Sequence, residues 1–147
     1  MACCGSSQWV ERMLGRRPFG SRAALLAAAR EEWFALSPDA WREAFRHHPR
    51  IGDLSALQTR FAATGHLSER EQAGITGAPE EIFEALAEGN LAYQQKFGFI
   101  FIVCASGRSA EEMLDLLLTR FRNDASAEIL IAAEEQAQIT ARRLEAL

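Results

Sequence analysis

Hydrophobic residues recur at helical spacing along most of the chain, and short polar signals divide them into separate segments. Ser21 is placed to cap a helix that runs to Phe34. Ser37 and Pro38 have the residue types preferred at an N-cap and at the first helical position, so another helix should begin there. That helix should end just before Pro49, because the residue preceding a proline avoids helical backbone angles.

The middle of the chain predicts two short helices and a longer one. The first short helix should cover residues 54–63, after a turn at residues 50–53. Ser68 and Glu71 have the spacing of a capping box, so the second should start there. Pro79 should open the longer helix. Its inward-facing residues should be Ile82, Phe83, Leu86, Leu91 and Tyr93.

Residues 97–104 form a continuous aromatic and β-branched run, which locally favours a β-strand. No other segment of the sequence offers this run a strand to pair with. We therefore expect a buried extended segment near residues 98-105, lying among helices.

The C-terminal third again predicts helices, and they complete the fold class. Ser109 and Glu112 form a second capping box, and the last helix should run from Asp124 or Ser126 to the chain end. No repeat or linker divides the sequence. The prediction is an all-α fold, a single-domain irregular helical bundle of about six to eight helices that covers residues 1-147.

Composition excludes several classes of function. The chain has 147 residues, of which 48% are hydrophobic and 24% charged, which suits one folded domain. Its net charge of -4 gives no broad basic surface, so no nucleic acid and no anionic membrane is expected as partner. No apolar run reaches the roughly 18 residues of a membrane span, and no signal peptide is recognisable. Three cysteines, two of them adjacent, favour a reducing compartment, so we expect a cytoplasmic protein.

Arg143 is unusual because of the helix face on which it lies. At helical spacing it shares a face with Ile129, Ala133, Gln136, Thr140 and Leu147. A guanidinium buried there would need an anion, since an unpaired buried charge is costly. A structural salt bridge, or a side-chain stem that reaches solvent at the helix end, explains the same pattern.

His48 lies in a constrained turn with Pro49 and Gly52. Histidine titrates near neutral pH and is the commonest general acid or base, so this residue is a candidate for proton transfer. A histidine that interacts with the negative end of a helix dipole explains the position equally well.

Ser68, Glu71 and Gln72 are the third group of candidates. A capping box accounts for the first two, although a helix N-terminus also offers N–H groups to an anionic ligand. The Gln72 amide suits the edge of a ureide or a carboxylate.

Neither a metal nor a cofactor is expected. The histidines and Cys104 lack the spacing of known metal sites, and adjacent histidines rarely bind one ion. No phosphate-binding glycine loop and no nucleophile-elbow motif occurs. Cys104 lies in the most apolar run, where a thiol is usually inert packing.

Taken in order, these residues resemble one family, the decarboxylases of 2-oxo-4-hydroxy-4-carboxy-5-ureidoimidazoline (OHCU). The resemblance spans nearly the whole chain and leaves out only residues 1–7. The motifs that carry it are His48-Pro49-Arg50-Ile51-Gly52-Asp53, Ser68 with Glu71-Gln72, Asn90 with Tyr93 and Lys96-Phe97-Gly98-Phe99, Phe101-Ile102-Val103-Cys104-Ala105, and Glu135-Gln136 before Ile139 and Arg143-Leu144.

The resemblance implies an all-helical, cofactor-independent carboxy-lyase that converts OHCU to (S)-allantoin and CO2 in urate degradation, and commonly a homodimer. It makes His48 the catalytic histidine, Glu71 its carboxylate neighbour and Arg143 the cationic contact. The remaining substrate-binding positions that it implies are Pro49, Ser68, Gln72, Phe101, Ile102, Val103, Cys104 and Ala105, the last five through backbone groups that face the ring and ureido group.

Three alternatives remain from the residues alone. One is a different enzyme of ureides or heterocycles with the same catalytic set. Another is a non-catalytic helical interaction module in which His48, Glu71 and Arg143 form a structural network. The third is a metal-dependent hydrolase that uses His47, His48 and Asp53.

Overall fold

The computed structural model describes residues 3–49 and 80–147, and in these ranges the regular structure is entirely α-helical. The all-α prediction is therefore confirmed, whereas the helices predicted within residues 54–75 lie outside the described residues. The six helices are α1 (Ser7–Gly15), α2 (Arg22–Phe34), α3 (Pro38–Arg46), α4 (Glu80–Phe97), α5 (Ala110–Arg120) and α6 (Ala125–Glu145).

The predicted helix starts are confirmed where they can be compared. The Ser21 hydroxyl accepts a hydrogen bond from the Ala24 N–H at 3.1 Å. Ser109 and Glu112 form the complete capping box at the start of α5. Ser37 has the backbone conformation of an N-cap, although its side chain makes no capping hydrogen bond. Helix α1 was not predicted, because its apolar residues cover only two turns.

The chain divides into two compact units. The terminal unit comprises Met1–His48 and Ile129–Leu147, and the central unit comprises Pro49–Glu128. Helix α6 contributes its first turn to the central unit and its remainder to the terminal unit. The two units are described separately below.

Three buried tryptophans hold the core of the terminal unit. The indole N–H of Trp9 donates to the Ala29 carbonyl at 3.0 Å, that of Trp33 to the Ala133 carbonyl at 2.8 Å, and that of Trp41 to the Trp33 carbonyl at 2.9 Å. Each large ring is thus buried without leaving its polar atom unsatisfied. These bonds tie α1, α3 and α6 to α2.

Helices α4 and α5 pack together in the central unit. Gly89 allows a close approach, because a Cβ there would lie 2.8 Å from Leu117 Cδ2. Leu86 and Tyr93 are fully buried, as predicted, and Ile82 and Phe83 are half-buried. The prediction for Leu91 was wrong. Its side chain is 52% exposed, because the buried face of α4 follows residues 86, 90, 93 and 97 and residue 91 lies outside it.

The segment after α4, predicted to be an extended segment, is buried as the sequence predicted. Gly98 ends the helix with a φ of 78°, a conformation that favours glycine. Residues 99–104 are all buried, and they form neither helix nor strand. The rings of Phe97, Phe99 and Phe101 surround Tyr93, with centroids 4.6–5.8 Å from its own.

A search of the described helices found none that combines the length and the apolar character required to cross a membrane.

Candidate active site

The predicted site residues fall in both units. His48 and Arg143 belong to the terminal unit, and Pro49 and the segment from Phe101 to Ala105 belong to the central unit. Ser68, Glu71 and Gln72 lie outside the described residues.

His48 stands just beyond the C-terminal end of α3, and two kinds of hydrogen bond hold it. Its backbone N–H donates to the Phe45 carbonyl at 3.2 Å, which continues the last helical turn. Its ring nitrogen Nε2 lies 2.5 Å from Oε1 of Gln136, on α6. Backbone and side chain are therefore both fixed, as a group that transfers protons requires.

The turn before His48 is packed against the N-terminal segment. A Cβ at Gly5 would lie 2.7 Å from both Cβ and Cδ2 of His47, so the glycine leaves no room for a side chain. This contact helps to fix the backbone from which the His48 ring projects.

Gln136 connects His48 to two further buried groups. Its amide nitrogen Nε2 donates to the Thr140 hydroxyl at 3.1 Å. That hydroxyl also acts on the thiol of Cys4, whose pKa it lowers. Gln136 and Cys4 are fully buried and Thr140 is 4% exposed. We call His48, Gln136, Thr140 and Cys4 the His48 chain.

The Cys4 thiol is a structural member of this chain. Burial raises the pKa of Cys4, against smaller opposing effects of the Ser6 backbone, the Thr140 hydroxyl and the positive charge of Arg143. The thiol is therefore protonated at neutral pH and is a poor nucleophile.

Arg143 lies in the last turn of α6 and is exposed. Its Nη1 donates to the Cys3 carbonyl at 3.3 Å. On the expected helix face, Ile129, Ala133 and Gln136 are buried together with Thr140. Leu147 was also expected there and is instead 86% exposed, because the helix ends at Glu145. The guanidinium itself is exposed, which agrees with the alternative of a side-chain stem that reaches solvent at the helix end.

In the central unit, two side chains hold the extended segment. The Phe101 N–H donates to Oδ1 of Asn90 at 3.1 Å, and Nη1 of Arg120 donates to the Ile102 carbonyl at 2.8 Å. The Arg120 guanidinium also lies 4.6 Å from the centroid of the Phe101 ring. Side chains thus supply the hydrogen bonds that a neighbouring strand would otherwise make.

Because of these hydrogen bonds, fewer backbone groups of the segment are available to a ligand than the sequence predicted. The Phe101 N–H has a single proton to donate, and Asn90 accepts it. The Ile102 carbonyl already accepts from Arg120, although an oxygen has a second lone pair. For Val103, Cys104 and Ala105 the predicted role stays a prediction.

Arg120 belongs to a buried charged network that the sequence reading missed. Its Nε and Nη2 each lie 2.7 Å from Oε1 of Glu128, a carboxylate that is fully buried. The Tyr93 hydroxyl donates to the same oxygen, and Asn123 Nδ2 donates to Oε2 at 2.7 Å. We call Arg120, Glu128, Tyr93 and Asn123 the Glu128 network.

The network fixes the protonation of its tyrosine. Burial, and next the hydrogen bond to Glu128, raise the pKa of the Tyr93 phenol well above its usual range. A sequence signal for the network did exist, because Arg120 follows Leu117 by three residues on the apolar face of α5.

Within residues 3–49 and 80–147, no group of three or more histidine, cysteine, aspartate or glutamate side chains could hold a metal ion. The metal-dependent alternative also required Asp53, which lies outside these ranges.

Known proteins resemble this chain over almost all of its length. The family model described as OHCU decarboxylase matches residues 1–145. A crystal structure described as OHCU decarboxylase in the presence of (S)-allantoin has 38% sequence identity and a TM-score of 0.79, and the match covers 97% of this chain and 92% of that one.

Curated relatives agree with that match. The uric acid degradation bifunctional protein TTL of Arabidopsis thaliana is 41% identical over 145 residues, which are 97% of this chain and 44% of the plant protein. The 2-oxo-4-hydroxy-4-carboxy-5-ureidoimidazoline decarboxylase of Halalkalicoccus jeotgali is 28% identical over 142 residues, 96% of this chain and 78% of that protein. This chain therefore spans less than half the length of the Arabidopsis relative.

The family match changes one sequence interpretation. Residues 1–7 were left outside the resemblance, whereas the family model matches from residue 1. The structure gives a physical reason, since Cys4 and Ser6 are fully buried in the terminal unit.

Proposed function

The chain belongs to the OHCU decarboxylase family, and we propose that it converts OHCU to (S)-allantoin and CO2 without a cofactor, as a carboxy-lyase of urate degradation. The observation that carries the proposal is the match to the structure described with (S)-allantoin, at 38% identity across nearly the whole of both chains. Within the chain, the fixed orientation of His48 supports it.

The substrate itself can accept the electrons that the reaction releases. When the bond to the carboxylate breaks and CO2 leaves, the electron pair moves toward the adjoining C=N unit of the ring. The ring nitrogen takes up a proton from the solvent as the enol forms. The enol then becomes a carbonyl as its hydroxyl proton leaves, and the ring carbon that bears the ureido group takes up a proton. An external electron sink such as a pyridoxal or thiamine cofactor is therefore not needed. The enzyme has to orient the ring and protonate one face.

We assign the proton transfer to His48. An imidazole can take a proton from the substrate hydroxyl or give one to the ring carbon near neutral pH. The hydrogen bond to Gln136 holds the ring in one orientation, which a stereospecific transfer requires.

Glu71 is the proposed carboxylate neighbour of His48, and its role follows from charge. A carboxylate near an imidazole favours the charged form of the ring. The same negative charge would repel the substrate carboxylate and favour its departure as CO2.

Arg143 is the proposed cationic contact for the substrate. A cation that only holds the departing carboxylate would stabilise the ground state, which does not speed the chemistry. Arg143→Ala separates the two roles, because a uniform binding contact raises KM alone and a transition-state contact lowers kcat.

The remaining pocket residues keep the roles that the resemblance implies. Pro49, Ser68 and Gln72 would contact the substrate, and the segment from Phe101 to Ala105 would face its ring and ureido group. We further propose that the protein is a cytoplasmic homodimer. Light scattering on the purified chain would test the dimer, and a monomer at micromolar concentration would contradict it.

The decisive experiment is circular dichroism of allantoin formed from freshly generated OHCU, with and without the purified chain. OHCU also decays spontaneously, and that route should give racemic allantoin, so handedness is a sharper test than product formation. Rapid appearance of the S enantiomer in a chelator-containing buffer is the expected result. A trace identical to the spontaneous background would exclude OHCU as substrate, and a panel of related ureides would follow.

A further inference from the structure

We propose that Arg120 is a positioning residue for substrate binding, because it orients the peptide group that joins Ile102 to Val103. The Glu128 network holds the guanidinium in place for this purpose. The orientation of the peptide group is a property of the folded chain. Its link to the substrate rests on the proposed function, in which the segment from Phe101 to Ala105 faces the ring and the ureido group.

Arg120 makes two contacts with this segment. Its Nη1 donates to the Ile102 carbonyl at 2.8 Å, and its guanidinium lies 4.6 Å from the centroid of the Phe101 ring. The side chain is buried, so little water competes for either contact. One rigid planar group therefore holds two adjacent residues, one through its backbone and the other through its ring.

The direction of the Ile102 carbonyl determines the direction of the next amide. The peptide bond from Ile102 to Val103 is trans and planar, so the Val103 N–H points away from Arg120. One peptide group earlier, the Phe101 N–H donates to Oδ1 of Asn90 at 3.1 Å. Two side chains thus fix the backbone on both sides of Phe101 and set the direction in which it continues.

Glu128 fixes the direction of the guanidinium. Nε and Nη2 of Arg120 each lie 2.7 Å from Oε1 of Glu128, and Nη2 also donates to the Tyr93 hydroxyl at 3.4 Å. Asn123 Nδ2 holds the second carboxylate oxygen at 2.7 Å. All three nitrogens of Arg120 therefore have acceptors, and the guanidinium cannot turn from the Ile102 carbonyl without breaking a bond to Glu128.

Stability alone explains this ion pair poorly. Removing one member leaves a buried charge and is destabilising, but well-packed apolar residues in place of both often leave stability unchanged or raise it. The rings of Phe97, Phe99 and Phe101 already surround Tyr93, so apolar side chains would find apolar neighbours here. Such side chains could not donate to the Ile102 carbonyl. The ion pair adds a donor whose direction is fixed.

A combined variant removes the network without leaving an unpaired charge. It carries Arg120→Met, Glu128→Leu and Tyr93→Phe in the full chain. It should unfold at a higher urea concentration than Glu128→Ala, which leaves the guanidinium alone. Tyr93→Phe by itself is the matched control, since Arg120 keeps its bonds to Glu128 and to Ile102.

Nitrogen relaxation in NMR tests the orientation without substrate. The amides of Val103 and Cys104 should have order parameters of about 0.85 in the wild type and in Tyr93→Phe, and these should fall toward about 0.6 in the combined variant. Arg120→Lys should lower them as well, because an ammonium that pairs with Glu128 lacks the planar fork that reaches carboxylate and carbonyl together. Rigid amides in either variant would overturn the inference.

Steady-state kinetics with OHCU test the link to the substrate. KM should rise roughly two- to tenfold in the combined variant and in Arg120→Lys, the factor that one hydrogen bond usually contributes. The value of kcat should change little, because the segment acts in binding, and Tyr93→Phe should keep its wild-type KM. Wild-type KM in a variant whose order parameters have fallen would remove Arg120 from substrate binding.

The two measurements keep this inference separate from the proposed function. A wild-type chain that leaves OHCU unchanged would refute the proposed function. The order parameters would still decide whether Arg120 orients the peptide group after Ile102.

Discussion

The two units bury polar groups in opposite ways. The terminal unit buries the His48 chain, whose links Gln136, Thr140 and the Cys4 thiol are all neutral. The central unit buries the Glu128 network, in which an arginine and a carboxylate pair directly. Neutral links hold the histidine in position and leave it able to change charge. The two groups of a buried ion pair instead stay charged, and such a pair suits a part of the molecule whose structure stays the same.

The His48 chain and the Glu128 network therefore have different roles. The Glu128 network ends on the Ile102 carbonyl through Arg120, so it fixes the backbone of the extended segment. The His48 chain ends on an imidazole, so it fixes the side chain that transfers the proton. Breaking the first should mainly reduce stability, and breaking the second should mainly reduce turnover.

The largest effect should follow from Glu128→Ala. It leaves the Arg120 guanidinium buried without its carboxylate, which costs about 3–5 kcal/mol of unfolding free energy when a buried pair loses one member. Urea unfolding would measure the loss. Glu134→Ala is the matched control on the same helix, since its pair with Arg30 is exposed and contributes less than about 1 kcal/mol. Equal losses in the two variants would refute the distinction between the two ion pairs.

The next effect concerns turnover rather than stability. His48→Ala should lower kcat by at least about a hundredfold, the lower end for general acid–base catalysis. The adjacent His47→Ala should keep its activity, because His47 is exposed, has no role in the proposed proton transfer and keeps its Cβ in the variant. Steady-state kinetics with OHCU would compare them. Near wild-type turnover in His48→Ala would remove this residue from the mechanism.

Alanine at two close-packed glycines should have unequal effects in the two units. Gly5→Ala places a methyl group 2.7 Å from His47 Cβ, next to the backbone, and should cost about 1–3 kcal/mol of stability. Gly89→Ala meets only the end of the Leu117 side chain, at 2.8 Å, and gains about 1 kcal/mol of helix propensity. Its net cost should be smaller. Thermal unfolding of both variants would compare their losses of stability. A larger loss in Gly89→Ala would show that the Leu117 side chain does not adjust to the added methyl group.

The smallest effect should appear at alkaline pH. Burial raises the pKa of Cys4 from the ordinary value of 9.0, and that of Tyr93 is raised as well. Between its unfolded and folded pKa each group binds more protons in the folded state, so the unfolding free energy falls as pH rises above about 9 for Cys4 and above about 10 for Tyr93. Cys4→Ala and Tyr93→Phe should each flatten this fall. Unfolding midpoints measured between about pH 8 and 10.5 would test this. A variant whose midpoint depends on pH as steeply as that of the wild type would contradict the prediction.

Local signals in the sequence predicted the helices well. The caps at Ser21 and Ser109 depend on residues three positions apart, so their chemistry is visible in the sequence. The buried extended run was recognisable from its aromatic and β-branched residues and from the lack of a second strand. Leu91 was misplaced because periodicity shows that a helix has a buried face but fixes that face only approximately.

The sequence predicted which residues belong to the candidate site, but it did not predict the hydrogen bonds between them. The sequence indicated His48 and Arg143, and it placed Gln136 and Thr140 on the buried face of the last helix. It did not show that Gln136 bonds His48, because 88 residues separate them. Nor did it show the burial of Cys4, which the N-terminal composition gave no reason to expect.

The sequence alone determined the helical class, most helix boundaries in the described residues and the set of candidate catalytic side chains. These depend on capping, periodicity and residue chemistry, which act over a few positions. Only the tertiary structure decided which polar groups pair, which nitrogen of His48 faces Gln136 and how Arg120 holds the Ile102 carbonyl. The physical reason is that such bonds join residues distant in the chain, and burial alone makes their partners specific.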